Sequence, residues 1–210
     1  MKTATNGQKR SQSRHERILD AALSVFARKG YQEAAVEEIA AQSHTSKGGV
    51  YFHFPGKQAI FLALLERSAG RLRDKVDEAL EAEADPIARA DAALLAVLRT
   101  FSRHRTLARF FLVEALGAGR EFHQRLALLN DEFAGLIKAH LDDAVAAGLI
   151  EPIDTEVAAR AWFGALYAVI THWVLSKQPA SLEEPYNALR PLLLRSVGAD
   201  QPIAAAAVGR

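Results

Sequence analysis

Val36-Glu-Glu-Ile-Ala-Ala-Gln-Ser-His-Thr-Ser-Lys-Gly-Gly-Val-Tyr-Phe-His-Phe-Pro-Gly-Lys57 is the stretch that decides how this 210-residue chain is read. Val36, Ile39 and Ala40 recur at helical spacing and predict a short helix over about Val36–Gln42. Ser43, His44 and Thr45 break it, and a second short helix follows over about 46–52, before Pro55 and Gly56. Helices this short do not hold their own backbone in water, so both must pack on a neighbour. Phe26, Ile39, Ala40, Val50 and Phe54 are the apolar residues available for that packing. Two short helices joined by a three-residue turn have helix-turn-helix spacing. The second is a poor helix by propensity, because Gly48 and Gly49 each cost about 1 kcal/mol relative to alanine. A plain glycine turn is therefore the competing reading. Thr45 or Ser46 as an N-cap, with Lys47 directly behind it, favours the helix.

The same periodicity extends in both directions. Ser13 and Glu16 have capping-box spacing and predict the start of a first helix. Its apolar face is Ile18, Ala22, Val25 and Phe26, and Gly30 stops it. A long helix is predicted over about 57–84, then one capped by Asp85 with Pro86 in its first turn. Further helices are expected over about 106–116 (ending in Gly117 and Gly119), 121–147 (stopped by Gly148), 155–177 (capped by Asp154) and 182–197. Ser181 and Glu184 form a capping box for the last, which Pro191 should kink. No alternating strand pattern occurs, so the fold class is all-α. The expected division is a flexible basic arm over 1–12, a helix-turn-helix domain over 13–56 connected by the helix from 57, a larger helical domain over 57–198, and a disordered tail over 199–210.

Composition narrows the function. The chain has no cysteine, which removes disulfide scaffolds, thiolate metal sites and thiol catalysis. Its start is basic and polar, and the longest uncharged run, 161–176, falls short of the roughly 20 residues that span a bilayer. A cytoplasmic location is expected. The net charge of +1 conceals an uneven spread, since residues 1–60 hold nine Lys and Arg against five acids. A positive first quarter points to a polyanionic partner, with a solvated basic tail as the alternative. The seven histidines lack the pairwise spacing of metal ligands, and no phosphate-binding glycine loop or nucleophile elbow is present. No catalytic residue, metal or cofactor is expected. The adjacent acids Glu37 and Glu38 read as solvated or first-turn charges.

The run Ser46-Lys-Gly-Gly-Val-Tyr-Phe-His-Phe-Pro-Gly-Lys57 resembles the DNA-binding signature of the TetR/AcrR family of bacterial transcriptional repressors. Ile39-Ala40 is similar to the family's second helix, and Phe26 with Gly30 to the close of its first. Three positions depart from the pattern. Ala34 and Ala35 stand where a capping Thr or Ser is usual, His44 replaces the turn glycine, and Gly49 replaces a common Thr. The resemblance implies a DNA-binding set of Thr45, Ser46, Lys47, Gly48, Gly49, Tyr51, His53 and Lys57. Lys47 would reach base edges, and Tyr51, His53 and Lys57 would reach phosphates.

It also implies a homodimer joined through the last two long helices, two recognition helices facing a pseudo-palindromic operator, and release of DNA when a small molecule binds. The stretch 161–175 supports the dimer independently, because it is apolar on all sides and must be covered all round. Candidate ligand-binding residues are Phe110, Phe111, Glu114, Phe133, Trp162 and Tyr167, a lining suited to a lipophilic or aromatic effector. Core packing is the commoner role for each. An all-α enzyme working in a C-terminal cavity and a helical protein-binding adaptor are the alternatives.

Overall fold

The computed structural model describes the backbone of residues 3–114, 119–176 and 181–199, and side chains from residue 11 onward within those segments, that of Glu114 excepted. The described residues form nine α-helices and no strand. They are α1 (Thr3–Glu33), α2 (Val36–Gln42), α3 (Lys47–His53), α4 (Lys57–Glu81), α5 (Pro86–Arg103), α6 (Arg105–Arg109), α7 (Arg120–Ala146), α8 (Thr155–Ser176) and α9 (Glu183–Ser196), with a π-helical segment Phe110–Glu114 after α6.

Several boundaries differ from expectation, each for a local reason. Helix α1 begins at Thr3 rather than Ser13, so the backbone of 3–12 is helical and not an arm. No proline interrupts that segment, and Ser13 sits inside the helix instead of capping it. Gly30 does break the helix, with φ 79 and ψ 168, after which a last turn runs to Glu33. The expected single helix over 106–116 is split by its π-helical turn. Phe110, Phe111 and Leu112 are all buried, and three consecutive buried residues exceed what one α-helical face can hide. Helix α9 starts one residue later than predicted. Leu182 is pinned into the core, and Ser181 accepts the Glu183 N–H (3.3 Å) from outside the helix. The expected end of the 106–116 helix and the tail over 200–210 lie outside the described residues. The caps at Asp85 (on Ala88 N–H, 2.8 Å) and Asp154 (on Val157 N–H, 3.0 Å) are as read.

The chain divides into two compact units, one within Met1–Gly70 and Arg105–Leu126, the other within Arg71–His104 and Ala127–Arg210. The division therefore falls inside α4 and α7, not at the expected 56/57 boundary. Aromatic packing explains this. Phe61 of α4 meets Phe26 of α1 (5.1 Å between ring centres), Phe110 (4.7 Å) and Phe122 of α7 (4.7 Å). Tyr31 closes the cluster against Phe61 and Phe122, both at 5.0 Å. Such edge-to-face ring pairs add to the burial of large apolar surface, so the first turns of α4 are part of the first unit's core.

Polar ties reinforce that core. The Arg67 guanidinium of α4, only 10% exposed, holds Glu16 (2.9 Å) and Asp20 (2.8 Å) of α1. In the second unit, α5, α7, α8 and α9 bury Leu98, Leu141, Trp173 and Leu194 among others. Asp91 of α5 accepts from Tyr186 Oη (2.9 Å) and Arg190 Nε (2.8 Å) of α9, and Trp162 Nε1 of α8 donates to Ser196 Oγ (3.0 Å).

Candidate nucleic-acid interface

Packing on α1 and on each other fixes the two short helices. Val36, Ile39 and Ala40 of α2 and Val50 of α3 are buried, with Phe54 just beyond. Val50 and Phe54 lie four residues apart on one face, so Lys47, Gly48, Tyr51 and Phe52 face away from the core. No side chain caps α2. Ala35 occupies the N-cap position, and its N–H makes a long bond to the Glu38 carboxylate (3.5 Å).

The turn carries the backbone signature expected of a missing glycine. His44 has φ 51, the one positive φ of a non-glycine among the described residues. The Thr45 N–H reaches back to Ala40 O (2.9 Å) and the His44 N–H to Ala41 O (3.2 Å), the paired bonds of a Schellman stop. Ser46, rather than Thr45, caps α3, its Oγ accepting from the Gly49 N–H (3.1 Å). The two glycines of α3 differ. Nothing lies within 4 Å of where a Cβ on Gly48 would stand, whereas one on Gly49 would meet Thr45 Cγ2 at 2.8 Å and Ser46 Oγ at 3.1 Å. Gly49 is thus required by the cap, while Gly48 leaves bare helix facing outward.

The remaining candidates have distinct surroundings. Lys47 is exposed and pairs with Glu37 of α2 (2.5 Å), its ammonium 6.0 Å from the Tyr51 ring centre. Tyr51 is exposed. His53 packs edge-on to His15 of α1 (ring centres 6.2 Å apart), and partial burial, then the charges of His15 and Arg14, holds its imidazole below the usual histidine range. Lys57 turns toward α1, where Nζ donates to Gln32 O (2.9 Å) and lies 4.7 Å from the Tyr31 ring centre. These eight residues, Thr45 to Lys57, come together around α3.

Three neighbours lie outside the expected DNA-binding set. Phe52 is 82% exposed on α3. Its outward position follows from Val50 and Phe54 taking the inner face, a pattern legible in the sequence. Glu37 and Glu38 are in the first turn of α2 as read, yet each holds a cation, Lys47 for the first and Lys29 for the second.

The six ligand candidates are not brought to one place within either unit. Phe110 and Phe111 are buried in the first, where Phe110 belongs to the aromatic core. Trp162 is buried, and Phe133 and Tyr167 half-buried, in the second. The Glu114 side chain is outside the described set. A cleft of about 90 Å³ in the second unit is lined by Leu95, Leu98, Arg99, Ser102, Arg103 and Leu182, with Glu183, and by none of the six. Among the described residues no cluster of three or more His, Asp or Glu could hold a metal, and no helix is long and apolar enough to cross a membrane.

Residues 18–64 match the family model for bacterial regulatory proteins of the tetR family, and residues 83–188, half of the chain, match the tetracyclin repressor-like C-terminal domain. The fatty acid metabolism regulator protein of Bacillus subtilis is 23% identical over 190 residues, covering 90% of this chain and 98% of that protein. The structure of the FadR regulator from Bacillus subtilis in complex with stearoyl-CoA superposes with a TM-score of 0.80 at 22% identity, covering 89% of this chain and 99% of that one. That of AibR in complex with isovaleryl coenzyme A and operator DNA has a TM-score of 0.71 at 20% identity, covering 85% and 97%. With both family models matched in order along a chain of this fold, the protein is a DNA-binding transcriptional regulator of the TetR family.

Proposed function

We propose that the chain works as a homodimeric repressor whose α3 helices enter successive major grooves of an operator and whose C-terminal unit takes an acyl-CoA thioester that releases the DNA. The observation that carries the DNA contact is the build of α3. Its inner face is anchored by Val50 and Phe54, while Ser46, Lys47, Gly48 and Tyr51 stand exposed on the other side. Bare backbone at Gly48 permits close approach to the duplex, and Lys47 and Tyr51 supply donors for base edges and phosphates.

The dimer is supported by α8 and α9. Val157, Ala161, Gly164, Ala168 and Leu175 are exposed at intervals of three, four or seven residues, and Ala188 and Leu192 are exposed on α9. An outward stripe of this kind, small at its centre, suits close helix crossing against a second copy. The effector class follows from the relatives' complexes with stearoyl-CoA and isovaleryl coenzyme A, and it agrees with a lipophilic ligand. A ligand releases DNA only if it binds the non-cognate geometry more tightly than the DNA-competent one.

Sedimentation at micromolar concentration should give a dimer. Duplex affinity should fall steeply with salt, at a log–log slope of about −0.9 per phosphate contact. Long-chain acyl-CoA, unlike free coenzyme A, should then dissociate the complex. Monomeric material, or salt-insensitive binding, would refute the repressor reading, and release by coenzyme A alone would refute the acyl effector.

A further inference from the structure

Lys47 opens α3, where a cation is free to seek any phosphate along a duplex, yet its ammonium lies 2.5 Å from Glu37, with both side chains 57% exposed. Glu37 is carried by α2 rather than α3. It sits in the first turn of α2, where the helix dipole favours a carboxylate. The bond to Lys47, and then one to its own backbone, keeps its carboxyl below the usual glutamate range, so it is ionised throughout the neutral region.

We propose that Glu37 is a specificity-determining residue, which cancels the charge of Lys47 so that its ammonium reads a guanine edge in preference to anionic phosphate. This rests on the DNA-binding reading above. A lysine ammonium has three N–H donors, and one given to Glu37 leaves two for guanine O6 and N7. Those acceptors are neutral and need a donor, not net charge. Phosphate affinity, by contrast, comes from displacing counterions, which a neutral ion pair does not do. Glu37 would also face any phosphate that Lys47 approached from well within the Debye length of about 8 Å. Non-specific binding is therefore weakened more than base reading.

The test uses the full chain with two labelled duplexes, one of scrambled sequence and one enriched by the wild type from a randomised pool. Glu37→Gln should tighten binding to the scrambled duplex about two- to five-fold, the range open to an exposed pair. It should steepen the salt slope there by about 0.9, one added phosphate contact. The enriched duplex should change less, so discrimination falls. In a Lys47→Met background, Glu37→Gln should do nothing to either, and unchanged melting curves would keep folding out of the comparison. Equal tightening on both duplexes, an unaltered slope, or persistence of the effect without Lys47 would overturn the proposal while leaving the DNA-binding reading intact. Absence of salt-dependent binding by the wild type would remove both.

Discussion

His44 holds a left-handed conformation that an L side chain adopts at a cost of roughly 1–2 kcal/mol. Its side chain is exposed, so glycine could take the position without losing packing. His44→Gly is expected to stabilise the protein by about 1 kcal/mol in urea unfolding, with little effect on a duplex contact made by α3. That strain was legible before the structure, because the family resemblance puts His44 where a turn glycine is usual. His140 offers a second residue-scale test. Its Nδ1 is buried with no hydrogen-bond partner among the described residues. Burial depresses the imidazole below the usual range, Arg89 lowers it further, and Asp143 opposes both. The unfolded chain then binds the extra proton first as pH drops below about 6.5, so stability falls with acid in that window. His140→Gln should flatten the stability–pH curve between about pH 7 and 5. An unchanged slope would place the acid sensitivity elsewhere.

At the scale of elements, α3 shows why two like residues in a sequence need not act alike. Gly48→Ala meets nothing within 4 Å and should gain about 1 kcal/mol of stability from helix propensity. Gly49→Ala gains the same propensity but drives its Cβ into the Thr45 methyl and the Ser46 cap, and should be neutral or destabilising. Equal gains at both positions would contradict the cap geometry. Periodicity revealed α2, α3 and the apolar faces that pack them, because short-range spacing determines those. The split of α6 from its π-helical turn was hidden, since it answers to the burial of Phe110, Phe111 and Leu112 together. The partners of Lys47 and Lys57 were hidden as well. Glu37 lies ten residues from Lys47 and Gln32 lies twenty-five from Lys57, so only tertiary packing makes them neighbours.

For the whole molecule, helix α8, whose stretch 161–175 looked apolar on all sides in sequence, separates into two faces once folded. Trp162, Leu166, Ile170 and Trp173 point inward, and Val157, Ala161, Gly164 and Ala168 outward. Ala168→Glu would bring two carboxylates together across a twofold axis and should convert the dimer to monomers at micromolar concentration, read by sedimentation. Duplex binding should weaken with it, because two half-sites are then read separately. The aromatic candidates for the effector were harder to place. Phe110 satisfies the same physical criteria as a pocket lining, being large, apolar and helical, and it packs in the aromatic core of the first unit. The most direct test of the account is enrichment of duplexes from a randomised pool by the full-length protein. A twofold pair of α3 helices predicts an inverted repeat whose half-sites are centred one helical turn apart, about 10–10.5 base pairs, or a multiple of it. Enriched sequences without inverted symmetry, or no enrichment at low salt, would contradict it.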